Sequence, residues 1–187
     1  MDIELIREKA PALAGEKRRA HVAGCAREAI RLAERWGADT LKAEAAALLH
    51  DSTKKLGTAE QLKLCKQYGI ITKSSDTDSP SVLHAITAAE LGRREFSVPG
   101  EVAGAIRWHT TGRADMSLLE KIIYVADVIE ETRSFDGVDK IRLAAYSDID
   151  YAILLAAASA IRELCGRMSV IHPDTIEAYN FLLKKRQ

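Results

Sequence analysis

The stretch 117–132 constrains this chain more than any other. Leu118, Leu119, Ile122, Ile123, Val125, Ala126 and Ile129 recur at the spacings that fill one buried side of an α-helix. Ser117 stands where a cap belongs and Glu120 follows three residues later, the pattern of a capping box. Asp127 sits inside the same apolar run. An ionised carboxylate among Ile, Val and Ala is costly unless it is paired or bound to a metal.

The rest of the chain also reads as helix. Residues 2–13 place Ile3, Ile6, Ala10 and Leu13 on one side, and Gly15 ends them. A helix from about 16 to 36 stops at Gly37, its apolar side formed by Val22, Cys25, Ala26, Ala29, Ile30, Leu32 and Ala33. Asp39 or Thr40 caps the next, a small and apolar run that closes on His50-Asp51. Further helices are expected at 58–68, from Pro80 or Ser81 to about 92–95, and at 101–109, 117–132, 140–146, 149–168 and 174–184. The stretch 72–80, rich in the turn formers Ser, Thr and Asp and closed by Pro80, reads as a loop. No alternating strand pattern, internal repeat or low-complexity segment appears. The expected fold is all-α, a compact helical bundle, with residues 1–187 forming one domain. Trp36, Trp108 and the methionines are expected in the core. Ala156-Ala157-Ala158 is expected either inside the domain or against a second subunit, which leaves a homodimer open.

Composition excludes several classes. Apolar residues make up 47% of 187, enough for a core. Lys plus Arg equals Asp plus Glu, 27 against 27, which argues against a general nucleic-acid-binding surface. Cys25, Cys65 and Cys165 are odd in number, far apart and without a C-x-x-C pair, as expected for reduced thiols. The acidic start Met1-Asp2-Ile3-Glu4 lacks the apolar run of a signal peptide, and no segment approaches a membrane span. A cytoplasmic protein with no membrane partner is expected.

The chemistry gathers around His50-Asp51. Imidazole and carboxylate side by side at the end of a greasy helix suit a divalent ion. Five histidines are present, and the order His21, His50-Asp51, His84, His109, Asp127 supplies ligands from several helices. His84 and His109 either complete a second ion site with Asp51 bridging or bind phosphate as imidazolium donors. Any one of these histidines alone is more often a satisfied polar residue than a ligand; their joint occurrence outweighs that. The polar residues nearby suit a phosphate ester. Lys54 follows Asp51 by three residues, and Arg18 shares the face of His21. Thr110-Thr111-Gly112-Arg113 offers hydroxyls, free N–H groups and a guanidinium, and Arg133 lies beyond Asp127. The competing interpretation of these charges is a solvated surface.

The order H…HD…H…H…D resembles the HD-domain phosphohydrolase superfamily. The stretches His109-Thr110-Thr111-Gly112-Arg113, Met116 through Asp127 and Ile171-His172-Pro173-Asp174-Thr175 resemble, more narrowly, the bacterial symmetrical bis(5'-nucleosyl)-tetraphosphatases. The resemblance runs from Arg18 to the last helix. It implies an iron-dependent hydrolase that cleaves diadenosine tetraphosphate to two ADP. It places the catalytic ion on His21, His50, Asp51 and Asp127, and assigns Asp51, Lys54, His84 and His109 to catalysis. His109 is either a ligand of the second ion or a phosphate contact. Arg18, Lys54, His84, Thr110, Thr111, Arg113 and Arg133 would meet the phosphates. Val170, Ile171, His172, Asp174 and Thr175 would lie against the nucleoside. Iron comes with the resemblance alone; Mn, Co and Zn accept the same donors. The alternatives are another HD-type nucleotide phosphohydrolase and a non-catalytic nucleotide sensor.

Overall fold

The computed structural model describes residues 1–187 and contains helices without a strand. In chain order they are α1 (Ile3–Ala14), α2 (Arg19–Trp36), α3 (Thr40–Leu49), α4 (Thr58–Tyr68), α5 (Ser74–Asp78) and α6 (Leu83–Phe96). There follow α7 (Gly100–Trp108), α8 (Leu118–Ile129), α9 (Val138–Ala145), α10 (Ile149–Gly166) and α11 (Pro173–Lys185). Single 3-10 turns at Glu16–Arg18 and Pro80–Val82 lead into α2 and α6.

α3 is the centre of the bundle. It packs against α1, α2, α6, α7 and α8. Ala43, Ala45, Ala46, Ala47 and Leu49 are wholly buried. A helix covered from several sides needs no polar face, and alanine lets neighbouring backbones close in. α8 lies alongside, between α2, α7 and α10, with Ile122 and Ile123 fully buried. Each such side chain stabilises the fold by roughly 1.5–3 kcal/mol relative to exposure. α9 and α11 pack on α10, and α4 on α6. No helix is long and apolar enough to cross a membrane.

Several expectations are corrected. The stretch 72–80 is not all loop: Ser74–Asp78 winds into a helix whose Asp76 carboxylate accepts the Lys73 N–H at 2.8 Å. The 117–132 helix stops at Ile129, because Glu130 turns to extended backbone (ψ 159°) and sends its side chain inward. α10 ends at Gly166, two residues short of the expected end, and Met168 adopts φ 51°. Met168 is 95% exposed and Met1 43%; only Met116 joins the core. Trp36 is half-buried against the core, and Trp108 is half-buried beneath the Arg107 guanidinium, 4.2 Å from its ring centre. Ala156 and Ala157 pack inside the bundle.

Candidate metal centre

Five helices bring one end each to a common point. His21 lies in the first turn of α2 and His84 in the first turn of α6. His50 caps the C-terminus of α3 with Asp51 next to it, and His109 caps the C-terminus of α7. Asp127 lies in the last turn of α8. His50, Asp51, His84 and His109 are at most 3% exposed.

The positions of the ring protons follow from the partners. His50 Nδ1 lies 2.6 Å from the Ala47 carbonyl, His84 Nδ1 2.6 Å from the Ser81 carbonyl and His109 Nδ1 2.7 Å from the Ile106 carbonyl. A carbonyl only accepts, so each Nδ1 carries the proton and donates it. All three carbonyls stand three residues before their histidine, and those of Ala47 and Ile106 are among the last carbonyls of a helix, which lack an intrahelical partner. His21 Nδ1 donates instead to Glu130 Oε1 at 3.0 Å. In the neutral ring each Nε2 is then the nitrogen that carries the lone pair.

Those lone pairs converge. His21 Nε2 and His50 Nε2 are 3.2 Å apart, and His84 Nε2 and His109 Nε2 are 3.1 Å apart. Bare nitrogens at that distance repel unless a cation stands between them. Two nitrogens each about 2.1 Å from one ion stand about 3.0 Å apart at right angles and about 3.4 Å apart at the tetrahedral angle. Asp51 serves both pairs. Its Oδ2 lies 3.7 and 3.4 Å from the His21 and His50 Nε2 atoms, and its Oδ1 lies 3.3 and 3.9 Å from those of His84 and His109. Asp127 Oδ1 joins the first pair, 3.1 Å from His21 Nε2 and 4.0 Å from His50 Nε2. Asp51 Oδ2 is buried without a hydrogen-bond partner, although Arg18 Nε lies against it. The donor set therefore fits a divalent metal, with Asp51 offering one oxygen to each pair of imidazoles.

The protonation states suit that use. Burial opposes charge on Asp51, yet His50, His84 and His109 hold its carboxyl far below the usual carboxylate range. Burial likewise opposes charge on Asp127, and His21, His50 and Arg133 outweigh it. Burial pushes His84 down, with the Lys54 ammonium adding to the effect. It pushes His109 down to about 3, aided by His50 and His84. His50 goes the other way: burial lowers it, but Asp51 raises it above the ordinary imidazole value.

A cationic rim surrounds the cluster. Lys54 Nζ lies 3.2 and 3.3 Å from the ring nitrogens of His84, and burial lowers its pKa. Arg18 pairs with Asp51. Arg133 donates through Nε to the Asp127 carbonyl at 2.8 Å and pairs through Nη2 with its carboxylate. Thr110 Oγ1 stands 3.0 Å from His109 Nε2 and 3.4 Å from His84 Nε2. Thr110, Thr111, Val170, His172 and Thr175 line a cavity of about 190 Å³ that opens beside the cluster. His172 caps α11: its Nδ1 accepts the Asp174 N–H at 3.2 Å, so its Nε2 donates to Asp76 at 3.2 Å. Ile171 is half-buried and does not line that cavity. Arg113 is not brought to the cluster; its guanidinium pairs with Glu120 at 2.9 Å.

Sequence reasoning missed three residues. Glu130, 0% exposed, orients His21; Gly24 leaves space for it; Asp76 holds His172. The one sequence pointer to Glu130 was its position three residues after Asp127.

The HD domain family matches residues 18–132, which contain every histidine and aspartate of the cluster. A protein of Bacillus subtilis named symmetrical bis(5'-nucleosyl)-tetraphosphatase is 40% identical over 169 residues, covering 90% of each chain. One of the same name from Halalkalibacterium halodurans is 41% identical and covers 92% of each chain. A crystal structure from Clostridium acetobutylicum, of an HD superfamily hydrolase described as involved in NAD metabolism, superposes with a TM-score of 0.93. It is 36% identical and covers 99% of this chain and 98% of its own. Cluster, sequence and fold agree: the chain belongs to the HD-domain family, among the relatives of the symmetrical bis(5'-nucleosyl)-tetraphosphatases.

Proposed function

We propose that this chain is a metal-dependent hydrolase that cleaves diadenosine tetraphosphate symmetrically to two ADP, working as one domain in the cytoplasm. The carrying observation is Asp51, whose two oxygens each face a pair of bare imidazole nitrogens. The names of the relatives supply the substrate. Iron is the proposed metal, on the resemblance; Mn, Co and Zn meet the same donors. Three unpaired thiols at Cys25, Cys65 and Cys165 suit a reducing compartment.

Bound divalent ions supply Lewis-acid chemistry, activating water and polarising a phosphoryl oxygen. The protein's own groups supply the rest. The carbonyl and carboxylate partners of the four Nδ1 atoms fix the tautomer and aim each Nε2 at the cluster. Arg18, Lys54 and Arg133 neutralise charge on the equatorial and leaving oxygens of the polyphosphate. Arg18 and Arg133 pair with Asp51 and Asp127, so both already stand at the edge of the cluster. Thr110 offers a hydroxyl to a phosphate between His109 and the cavity beyond it. The leaving group is a nucleoside diphosphate, a weakly basic anion that makes little demand on a general acid.

Product analysis tests this. Metal-loaded protein incubated with diadenosine tetraphosphate is expected to give ADP alone. AMP with ATP would keep the hydrolase and overturn the scissile bond. No turnover with iron, manganese or cobalt would overturn the activity, in favour of another nucleotide substrate or of a sensor that binds without cleaving.

A further inference from the structure

The dinucleotide of the proposed function has two identical halves, but the site offers them different walls. One half has the cavity beside Thr110. Arg133 also stands at the cluster; its guanidinium pairs with Asp127 and its side chain forms part of a second cavity of about 530 Å³. That volume lies within the ~300–1,000 Å³ range of small-molecule pockets. Its floor is Ala156, Ser159 and Ala160 of α10. Their spacing of three and four puts them on one helix face, small enough to accept a flat ring. Phe135, 39% exposed, forms another part of the wall. Asp136 and Glu163 add carboxylate acceptors for ribose hydroxyls or a base amino group. Ala160 and Glu163 also line the Thr110 cavity, so one turn of α10 belongs to both walls.

We propose that this second cavity receives the second nucleoside of the substrate, its base lying between Phe135 and the small face of α10, with Arg133 linking it to the polyphosphate at the cluster. The proposal rests on the dinucleotide reading above. It explains why a loop residue as apolar as Phe135 is left facing solvent beside a metal centre. Both halves of the substrate are then gripped while the bond between them is cleaved.

The test compares Phe135→Ala and Ser159→Trp with wild-type protein on two substrates: diadenosine tetraphosphate, and adenosine tetraphosphate, which has one nucleoside. The first variant removes the stacking partner and the second fills the cavity from the opposite wall. In each, kcat/KM for diadenosine tetraphosphate relative to adenosine tetraphosphate is expected to fall about tenfold, as for loss of one base–aromatic stack. Equilibrium titration of metal-loaded protein with ADP is expected to find two sites per chain in the wild type and one in each variant. An unchanged substrate ratio in both variants, or a single ADP site in the wild type, would overturn the assignment and leave the hydrolase intact. Wild-type protein that leaves diadenosine tetraphosphate uncleaved would overturn the function and this assignment together.

Discussion

Glu130 is wholly buried because Gly24 makes room for it: a Cβ at position 24 would stand 2.5 Å from Glu130 Oε2. Its carboxylate accepts the His21 Nδ1 proton and the Thr132 N–H, the latter at 2.7 Å. Burial opposes its charge, and the Thr132 and His21 bonds hold its pKa below the ordinary value. A carboxylate behind an imidazole fixes the tautomer and makes the far nitrogen a better donor. Glu130→Gln keeps the shape and removes the charge. It is expected to weaken metal binding by about 10- to 100-fold, with hydrolysis restored by excess metal. Gly24→Ala should act in the same direction by displacing the carboxylate. Equilibrium metal titration decides; unchanged affinity in both variants would remove Glu130 from this role. The histidines and aspartates that the fold brings together were legible in the sequence through their joint occurrence at the ends of apolar helices rather than through any one of them. Glu130 was not. It sits beside Glu131, Thr132 and Arg133 in what reads as a polar helix end, and its imidazole partner is 109 residues away.

At the scale of elements, the legible helices are those whose own residues set their ends. α8 begins where Ser117 Oγ accepts the Glu120 N–H at 3.3 Å and Glu120 accepts the Ser117 N–H at 2.8 Å. Loss of such a cap costs about 1 kcal/mol, which for a chain of this size lowers Tm by roughly 2–4 °C. Ser117→Ala is expected to show that shift in a thermal melt while metal stoichiometry stays unchanged, since Asp127 lies at the opposite end of α8. An unshifted melt would mean that the box contributes nothing. α5 shows the reverse case. Its five residues carry no apolar period, and buried Asp76 is held by His172 and by Arg107, 3.2 and 3.5 Å away. Such a turn exists only once distant elements have met, so local pattern could not reveal it. α3 gave its identity through alanine content rather than an amphipathic stripe, because it is covered from several sides.

For the molecule as a whole, the buried imidazoles couple stability to pH. His84 and His109 lie below the ordinary imidazole value of 6.5, His109 at about 3. Between those limits the unfolded chain binds more protons than the folded one, so stability falls as pH falls. His50 is raised, and its contribution has the opposite sign, lost as pH rises above 6.5. Asp51 and Asp127 are lowered from 3.8 and so add to acid loss only below about pH 4. Metal-free protein is therefore expected to melt at lower temperature at pH 5 than at pH 7, with His109→Asn flattening the decline. A wild-type melt that does not change over this range, or an unaltered slope in the variant, would contradict the neutral imidazoles. The helix ends that meet at the centre have a further consequence. α3, α7 and α8 arrive with their C-termini, whereas α2 and α6 start there. A helix carries roughly half a negative charge at its C-terminus and half a positive charge at its N-terminus. The backbone alone thus presents an attractive field to cations from one set of helices and to polyphosphate from the other. Antiparallel packing gives the site both polarities within a few ångströms, so ion and substrate are each drawn in by peptide dipoles that no side-chain substitution removes.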